Sequence, residues 1–253
     1  MWKGDYSFLI RQLVIKDFKI RYRNMSLGIF WALLNPLIMV VLFSFIFKQV
    51  FPSSIPHFSL YILSGLIPFN FFTAAWLGAT TSLMDNAGLI KKVPVPREVI
   101  PVTAVLGNLV HLGIQFLLIL AAVFYEGLSV NFHWPWLIVI WGLELVFIFG
   151  ISLATSSLNV LVRDIRYVVE SINLILFWLV PIFYTFDMIP MAYKDLYQYN
   201  PVAALVLATR KVILDGQAPP LNLMLKLASV AIVSLLVGES IFRHLKPRFY
   251  RYL

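Results

Sequence analysis

The sequence predicts an all-α integral membrane protein with six transmembrane helices, and three observations carry that prediction. Of its 253 residues, 60% are hydrophobic and only 13% are charged, about half the charged share of a soluble domain. Six apolar stretches have roughly the length a helix needs to cross the hydrocarbon layer. Basic residues crowd the segments on one side of those stretches. A soluble fold of this length lacks the polar material to cover so much apolar surface. Lipid has to be the solvent.

The first run begins near Leu27 (LGIFWALLNPLIMVVLFSFIF), the second near Phe58 and the third near Val99. A fourth extends from about Trp134 to Val162, interrupted only by Glu144. The fifth is shorter, from about Tyr167 to Tyr184, with Glu170 near its start. The sixth covers about Leu223 to Phe242, with Lys226 and Glu239 near its ends. Of the 20 basic residues, fifteen fall on the side holding both termini and five on the other. The richer side is expected to be cytoplasmic, which puts both termini in the cytoplasm and the chain in the cytoplasmic (inner) membrane. The first twenty-odd residues mix charge with apolar groups, unlike a secretory leader.

Three segments outside the spans carry information. In residues 5–23, Tyr6, Leu9, Ile10, Leu13, Val14 and Phe18 form an apolar stripe opposite Gln12, Lys16, Lys19 and Arg23. Such a helix, here expected over 4–24, lies in the plane of the membrane. The loop MDNAGLIKKVPVPREVIP after the second run holds a short apolar piece, a basic pair and three prolines that break regular helix. The stretch from Pro181 to Pro220 is too apolar for a solvated loop and too interrupted to span. Short re-entrant or interfacial helices, shielded from lipid by the spans, are predicted there.

Composition also excludes chemistry. There is no cysteine, so disulfides and thiol catalysis are ruled out. The four histidines (His57, His111, His133, His244) are scattered without ligand spacing, so no metal site is expected. The sequence contains no GxxxxGK[ST] loop, GxSxG elbow or HExxH pair. The chain therefore cannot hydrolyse ATP by the phosphate-loop route, and if it is part of an ATP-driven machine the motor is a separate polypeptide. The net charge of +8 is accounted for by basic residues beside anionic lipid, and no nucleic-acid partner is expected. His111 and Glu144 lie mid-span, as either a proton relay or polar contacts between helices. Glu170 follows Arg166 by four residues, the spacing of a helical ion pair.

The 21 Phe, 11 Tyr and 7 Trp are not confined to the interfacial belts that a bilayer alone explains. Phe30, Trp31 and Phe43 in the first run, with Phe177, Trp178, Phe183 and Tyr184 around the end of the fifth, are candidate lining for a sugar-polymer path. Tyr193, Tyr197 and Tyr199 follow close behind. Aromatic faces stack on the C–H faces of sugar rings, and the spans hold almost no charges of the kind an ion path needs. Arg21, Arg23, Arg163 and Arg166 are candidates for holding a phosphate head group.

Four local sequences, in order, carry a resemblance that covers essentially the whole chain: IKDFKIRYRNMSLGIFWALLNPL at 15–37, NAGLIKKVPVPREVIP at 86–101, LNVLVRDIRY at 158–167 and YNPVAALVLATRKVILDG at 199–216. With the amphipathic start and six spans, they resemble the type-2 ATP-binding-cassette exporter permeases. Within that group they are similar to the Wzm-like branch that exports O antigen and teichoic acid. The resemblance implies one permease domain over 1–253, with an interface helix at 4–24, a coupling loop at 84–97 and short external helices at 187–214. It implies a homodimer joined by two nucleotide-binding ATPase subunits, which bind ATP and Mg while this chain binds no cofactor and is not itself an enzyme. ATPase contact is then expected at Lys16, Lys19, Leu89, Lys91, Lys92 and Arg97. Spans one and five would frame a lateral opening for undecaprenyl-diphosphate-linked polysaccharide. Competing expectations are the same machine carrying teichoic acid, capsule or a drug, and an ion-coupled secondary transporter or flippase. A membrane acyl- or glycosyltransferase would instead need clustered His, Asp or Glu at one face.

Overall fold

The computed structural model describes residues 5–23, 26, 28–50, 55–93 and 95–252. Gly4, Asn24, Leu27 and Pro94, which fall within the predicted interface helix, first span and coupling loop, lie outside the described residues, as does the side chain of Tyr199. Ten α-helices and no strand occur among the described residues.

Helix α1 (Tyr6–Tyr22) begins where the Asp5 carboxylate accepts hydrogen bonds from the backbone N–H groups of Ser7 (2.8 Å) and Phe8 (3.4 Å). Those bonds hold the carboxyl below its ordinary range. Only Leu13 of this helix is buried, whereas Tyr6, Phe8 and Ile20 stay exposed. The chain then turns into α2 (Trp31–Phe45), which continues as a π turn over Ile46–Val50. Helix α3 (Phe58–Asp85) returns across the molecule and ends in the six-residue α4 (Ala87–Lys92). Val93 is extended after it, the backbone that a following proline imposes.

Helices α5 (Val99–Tyr125) and α6 (Trp136–Leu161) form a long hairpin. Helix α7 (Ile165–Leu179) stops short, and Val180 is extended immediately before Pro181. A 3-10 turn (Phe186–Met188), α8 (Met191–Tyr199) and α9 (Pro201–Ile213) precede α10 (Leu221–Leu245) and a terminal 3-10 turn (Lys246–Arg251).

Five helical stretches among the described residues are long and apolar enough to cross a membrane: Gly28–Phe45, Phe58–Asp85, Val99–Tyr125, Trp136–Leu161 and Leu221–Phe249. The remaining predicted span, the fifth, is α7, whose fifteen residues reach about 22 Å at 1.5 Å per residue, short of the roughly 30 Å hydrocarbon layer. Its break before Pro181 is why one apolar run in the sequence becomes a short helix plus irregular backbone.

Helix α3 is the axis of the fold, packed by α2, α5, α6, α7 and α9. Helices α6 and α10 pack backbone to backbone where two glycines face across the contact. A Cβ placed on Gly238 would collide with the backbone of Gly150, and one on Gly150 with that of Ser234. Small residues let backbones meet in lipid, where packing rather than water expulsion joins helices.

Candidate functional site

The predicted aromatic residues divide between the two ends of the molecule. Where α2 ends and α7 breaks, the Phe43 ring stacks on Phe183 at 5.3 Å and lies 6.3 Å from Phe177. Phe47 stacks on Phe183 at 5.6 Å, and Phe69 of α3 approaches Phe177 at 5.7 Å. Trp178 meets Phe177 and Phe183 edge-on, and Tyr184 meets Phe183 in the same way. Within this cluster Phe43 and Phe183 are buried, Phe177 and Tyr184 half-buried, and Trp178 exposed. Trp178, Phe177 and Tyr184 can therefore meet a passing molecule, while Phe43 and Phe183 brace them from behind. Phe30 and Trp31 are exposed at the opposite end of span one, one α2 length away.

Behind the cluster sits a group that sequence reasoning did not single out. Arg210, on α9, is buried, as are nine other residues of that thirteen-residue helix. Its Nη1 donates to the Tyr61 hydroxyl (2.8 Å) and to the carbonyl of Pro181. Its Nη2 donates to the carbonyls of Ile182 (2.5 Å) and Tyr61 (3.2 Å). The guanidinium lies 3.6 Å from the centre of the Tyr61 ring. Tyr61 in turn donates to the Tyr184 carbonyl (2.7 Å), and Tyr184 to the Trp178 carbonyl (3.0 Å). One arginine thus satisfies the carbonyls that the break in α7 leaves without helical partners, which irregular backbone at membrane depth requires. Gly65 of α3 makes the space, since a Cβ there would press on Arg210 and Val206. The available signal was a lone basic pair, Arg210–Lys211, ending an otherwise apolar stretch.

At the basic end, α1 is tied to the spans by polar side chains. Lys16 Nζ donates to Asn86 Oδ1 (2.5 Å) at the corner where α3 passes into α4. Arg21 donates to Asn108 Oδ1 (2.8 Å), and the Tyr22 hydroxyl meets the His111 ring at 2.9 Å. Burial raises the Tyr22 hydroxyl above its ordinary value, opposed by the neighbouring Arg21 charge. His111 therefore serves a helix-to-helix contact. Glu144 is buried with Oε2 unpartnered.

Of the residues expected to meet an ATPase, Lys19, Lys91 and Lys92 are exposed and Leu89 is half-buried. Arg97 is half-buried: it donates to the Lys246 carbonyl (2.9 Å) and lies 5.7 Å from the centre of the Phe249 ring. Beside it Glu98 accepts from Lys246 Nζ at 2.9 Å. Burial, the largest single influence, raises the Glu98 carboxyl, but the Lys246 bond, its own backbone N–H and the Lys246 and Arg243 charges together outweigh it and the net direction is down. Arg163 and Arg166 are exposed between α6 and α7, and Arg166 pairs with Glu170 at 2.8 Å. Arg21 lines a hollow under α1 that Arg163 and Arg166 do not share. No group of three or more metal-binding side chains occurs among the described residues.

A family model described as "ABC-2 type transporter" matches residues 9–214, from α1 to the end of α9. The chain belongs to the ABC-2 type transporter family. Two relatives from Klebsiella pneumoniae named "O-antigen export system permease protein RfbA" are 32% and 33% identical over 251 residues, covering 98% of this chain and 96% of theirs. A protein of the same name from Myxococcus xanthus is 27% identical, with 97% of this chain and 95% of that one covered. A "Polysialic acid transport protein KpsM" from Escherichia coli is 25% identical over 92% of each chain. As an ABC-2 type transporter chain it is a transport membrane subunit, multi-pass and all-helical, and the family implies an ATPase partner.

Proposed function

We propose that this chain is the transmembrane subunit of an ABC exporter that carries undecaprenyl-diphosphate-linked polysaccharide of the O-antigen class across the cytoplasmic membrane. The supporting observation is the end-to-end likeness to relatives named as O-antigen export permeases. The polysialic-acid relative, at lower identity, keeps the cargo class at polysaccharide while placing capsule second.

In this reading two copies of the chain form the channel and two separate subunits bind Mg-ATP and hydrolyse it. The exposed Lys91 and Lys92 on α4, with Lys19 on α1, face those subunits. Because Lys16 bonds Asn86, α1 and the α3–α4 corner move together when the ATPases close. The bare faces of α2 and α7 turn towards the second copy and frame the lateral opening. Trp178, Phe177 and Tyr184 then present rings to the sugar chain as it leaves the cytoplasmic leaflet.

The reading is tested in cells lacking this chain. Lipid-linked glycan should accumulate on the cytoplasmic face, and the wild-type chain should restore surface glycan. Lys91→Glu with Lys92→Glu should leave the protein in the membrane yet fail to restore it, because like charges at the rim slow association with the partner. Undiminished surface glycan in the deletion strain would sink the proposal.

A further inference from the structure

A cavity of about 770 Å³ opens beside the Arg210 cage, between the start of α3, the Phe186–Met188 turn, the end of α9 and the start of α10. Its charged lining residues are Arg210, Lys211, Lys226, Asp187 and Asp215. Both carboxylates are already engaged. Asp215 pairs with Lys211 at 2.9 Å, and Asp187 pairs at 3.6 Å with Lys194, which does not line the cavity.

Arg210 is different. It is 6% exposed, and its partners are three carbonyls and one phenol, which satisfy its donors without cancelling its charge. Among the described residues no carboxylate pairs with it, and its Nε is buried without a hydrogen-bond partner. A buried cation lacking a counter-charge is costly, and an anion in the adjoining cavity would supply that charge.

We infer that this cavity is a binding site for a phosphate ester, with Arg210 as its buried cation and Lys211 and Lys226 at its walls. Phosphate is the anion a membrane-edge site meets, since bilayer anions are phosphate esters. The cage takes up the Nη donors of Arg210 and leaves Nε, so the guanidinium acts on a phosphate chiefly through the charge it always keeps, while Lys211 and Lys226 bring ammonium donors to the walls. The cavity is larger than a phosphate group needs, leaving room for the glycerol or sugar attached to it. On the exporter reading it lies at the external leaflet, where a phosphate could come from the delivered lipid-linked glycan, from bilayer phospholipid or from solution. Binding of a ligand there would stiffen the α7–α9 break that Arg210 holds.

The test uses the full-length chain, purified in detergent and stripped of lipid. Two probes are titrated: inorganic pyrophosphate, followed calorimetrically, and phosphatidylglycerol, followed by native mass spectrometry. Lys211→Gln with Lys226→Gln changes the walls and leaves the cage intact. It is expected to weaken at least one probe about tenfold, the loss of about one charge-assisted contact. Arg210→Lys, which keeps the charge but not the fork, serves as the second variant and is expected to weaken the same probe. Loss confined to phosphatidylglycerol assigns the source to bilayer lipid, and loss confined to pyrophosphate assigns it to a soluble or diphosphate group. Both support the site. Equal binding of both probes by wild type and the double variant overturns it, whether or not the chain exports glycan.

Discussion

Helix α3 and the pair α2 and α7 are all apolar, yet the fold treats them in opposite ways. Nineteen of the 28 residues of α3 are buried, against four of fifteen in α2 and one of fifteen in α7. Span one is nevertheless the more hydrophobic of the first two spans. In lipid, apolarity does not report burial, because tails and core solvate a leucine equally. What marks α3 as the packed helix is its small and polar residues. Ser64, Gly65, Ala75, Ala79, Thr80 and Ser82 are all buried, and Thr80 meets Thr155 of α6 at 2.8 Å. Helices α2 and α7 instead expose Val41, Phe45, Leu174 and Trp178. The packed helix carries the frame, and the bare helices form its uncovered edge.

The largest effect should come from removing the cation that joins frame and edge. Arg210→Met leaves the Pro181 and Ile182 carbonyls without their donor inside the protein, while the Tyr61 carbonyl keeps Ser64, and should destabilise it by about 3–5 kcal/mol. Thermal unfolding of the detergent-solubilised chain measures this, and a change below 1 kcal/mol would break the account of the cage. Next is Gly238→Ala, which forces α6 and α10 apart at their closest point. Overpacking of that kind should cost about 2–3 kcal/mol, read by the same unfolding assay.

The comparison itself is sharpened by a matched pair. Leu66→Ala in α3 should cost the isolated chain ~2 kcal/mol through an unfilled cavity, whereas Leu174→Ala in α7 should cost under about 0.5 kcal/mol. If Leu174 matters at all, it should do so only where two copies are present. Equal losses in the isolated chain would erase the distinction between frame and edge.

The smallest effect concerns Glu98. Its folded-state carboxyl is held below the ordinary value, so its contribution is present above the unfolded value and fades as pH falls through the depressed one. With both partners near half exposed, that contribution stays below about 1 kcal/mol. Stability should therefore fall slightly less on acidification in Glu98→Gln than in wild type, measured as melting temperature against pH.

Much of this was legible in the residues. Uncharged runs gave the long helices, since lipid admits little else. The stripe of Leu13 and its neighbours marked α1. The start of α9 carried a signal that went unused, Asn200–Pro201, where the Asn200 side chain accepts from the N–H groups of Val202 and Ala203. The helix break in α7 was less legible because Pro181 sits near the end of an apolar run, where tertiary support decides whether the helix resumes. The cage was missed because an arginine counted among basic residues outside the spans looks solvated until α3 packs over it. Arg97 has a neighbour that its loop did not announce. It meets the Lys246 carbonyl and the Phe249 ring, a contact between positions far apart in the sequence that no local pattern encodes.

The central claim is that this chain forms an export path for lipid-linked glycan and draws its energy from a separate ATPase. The direct measurement reconstitutes the purified chain in proteoliposomes with and without the partner ATPase and follows a lipid-linked glycan to the opposite leaflet with a membrane-impermeant lectin. Transport that requires both the partner and hydrolysable ATP, and that falls when Phe177 and Tyr184 are both replaced by Ala while the complex still assembles, is the result expected. Transport by the chain alone, or driven by a proton or sodium gradient without ATP, would contradict it.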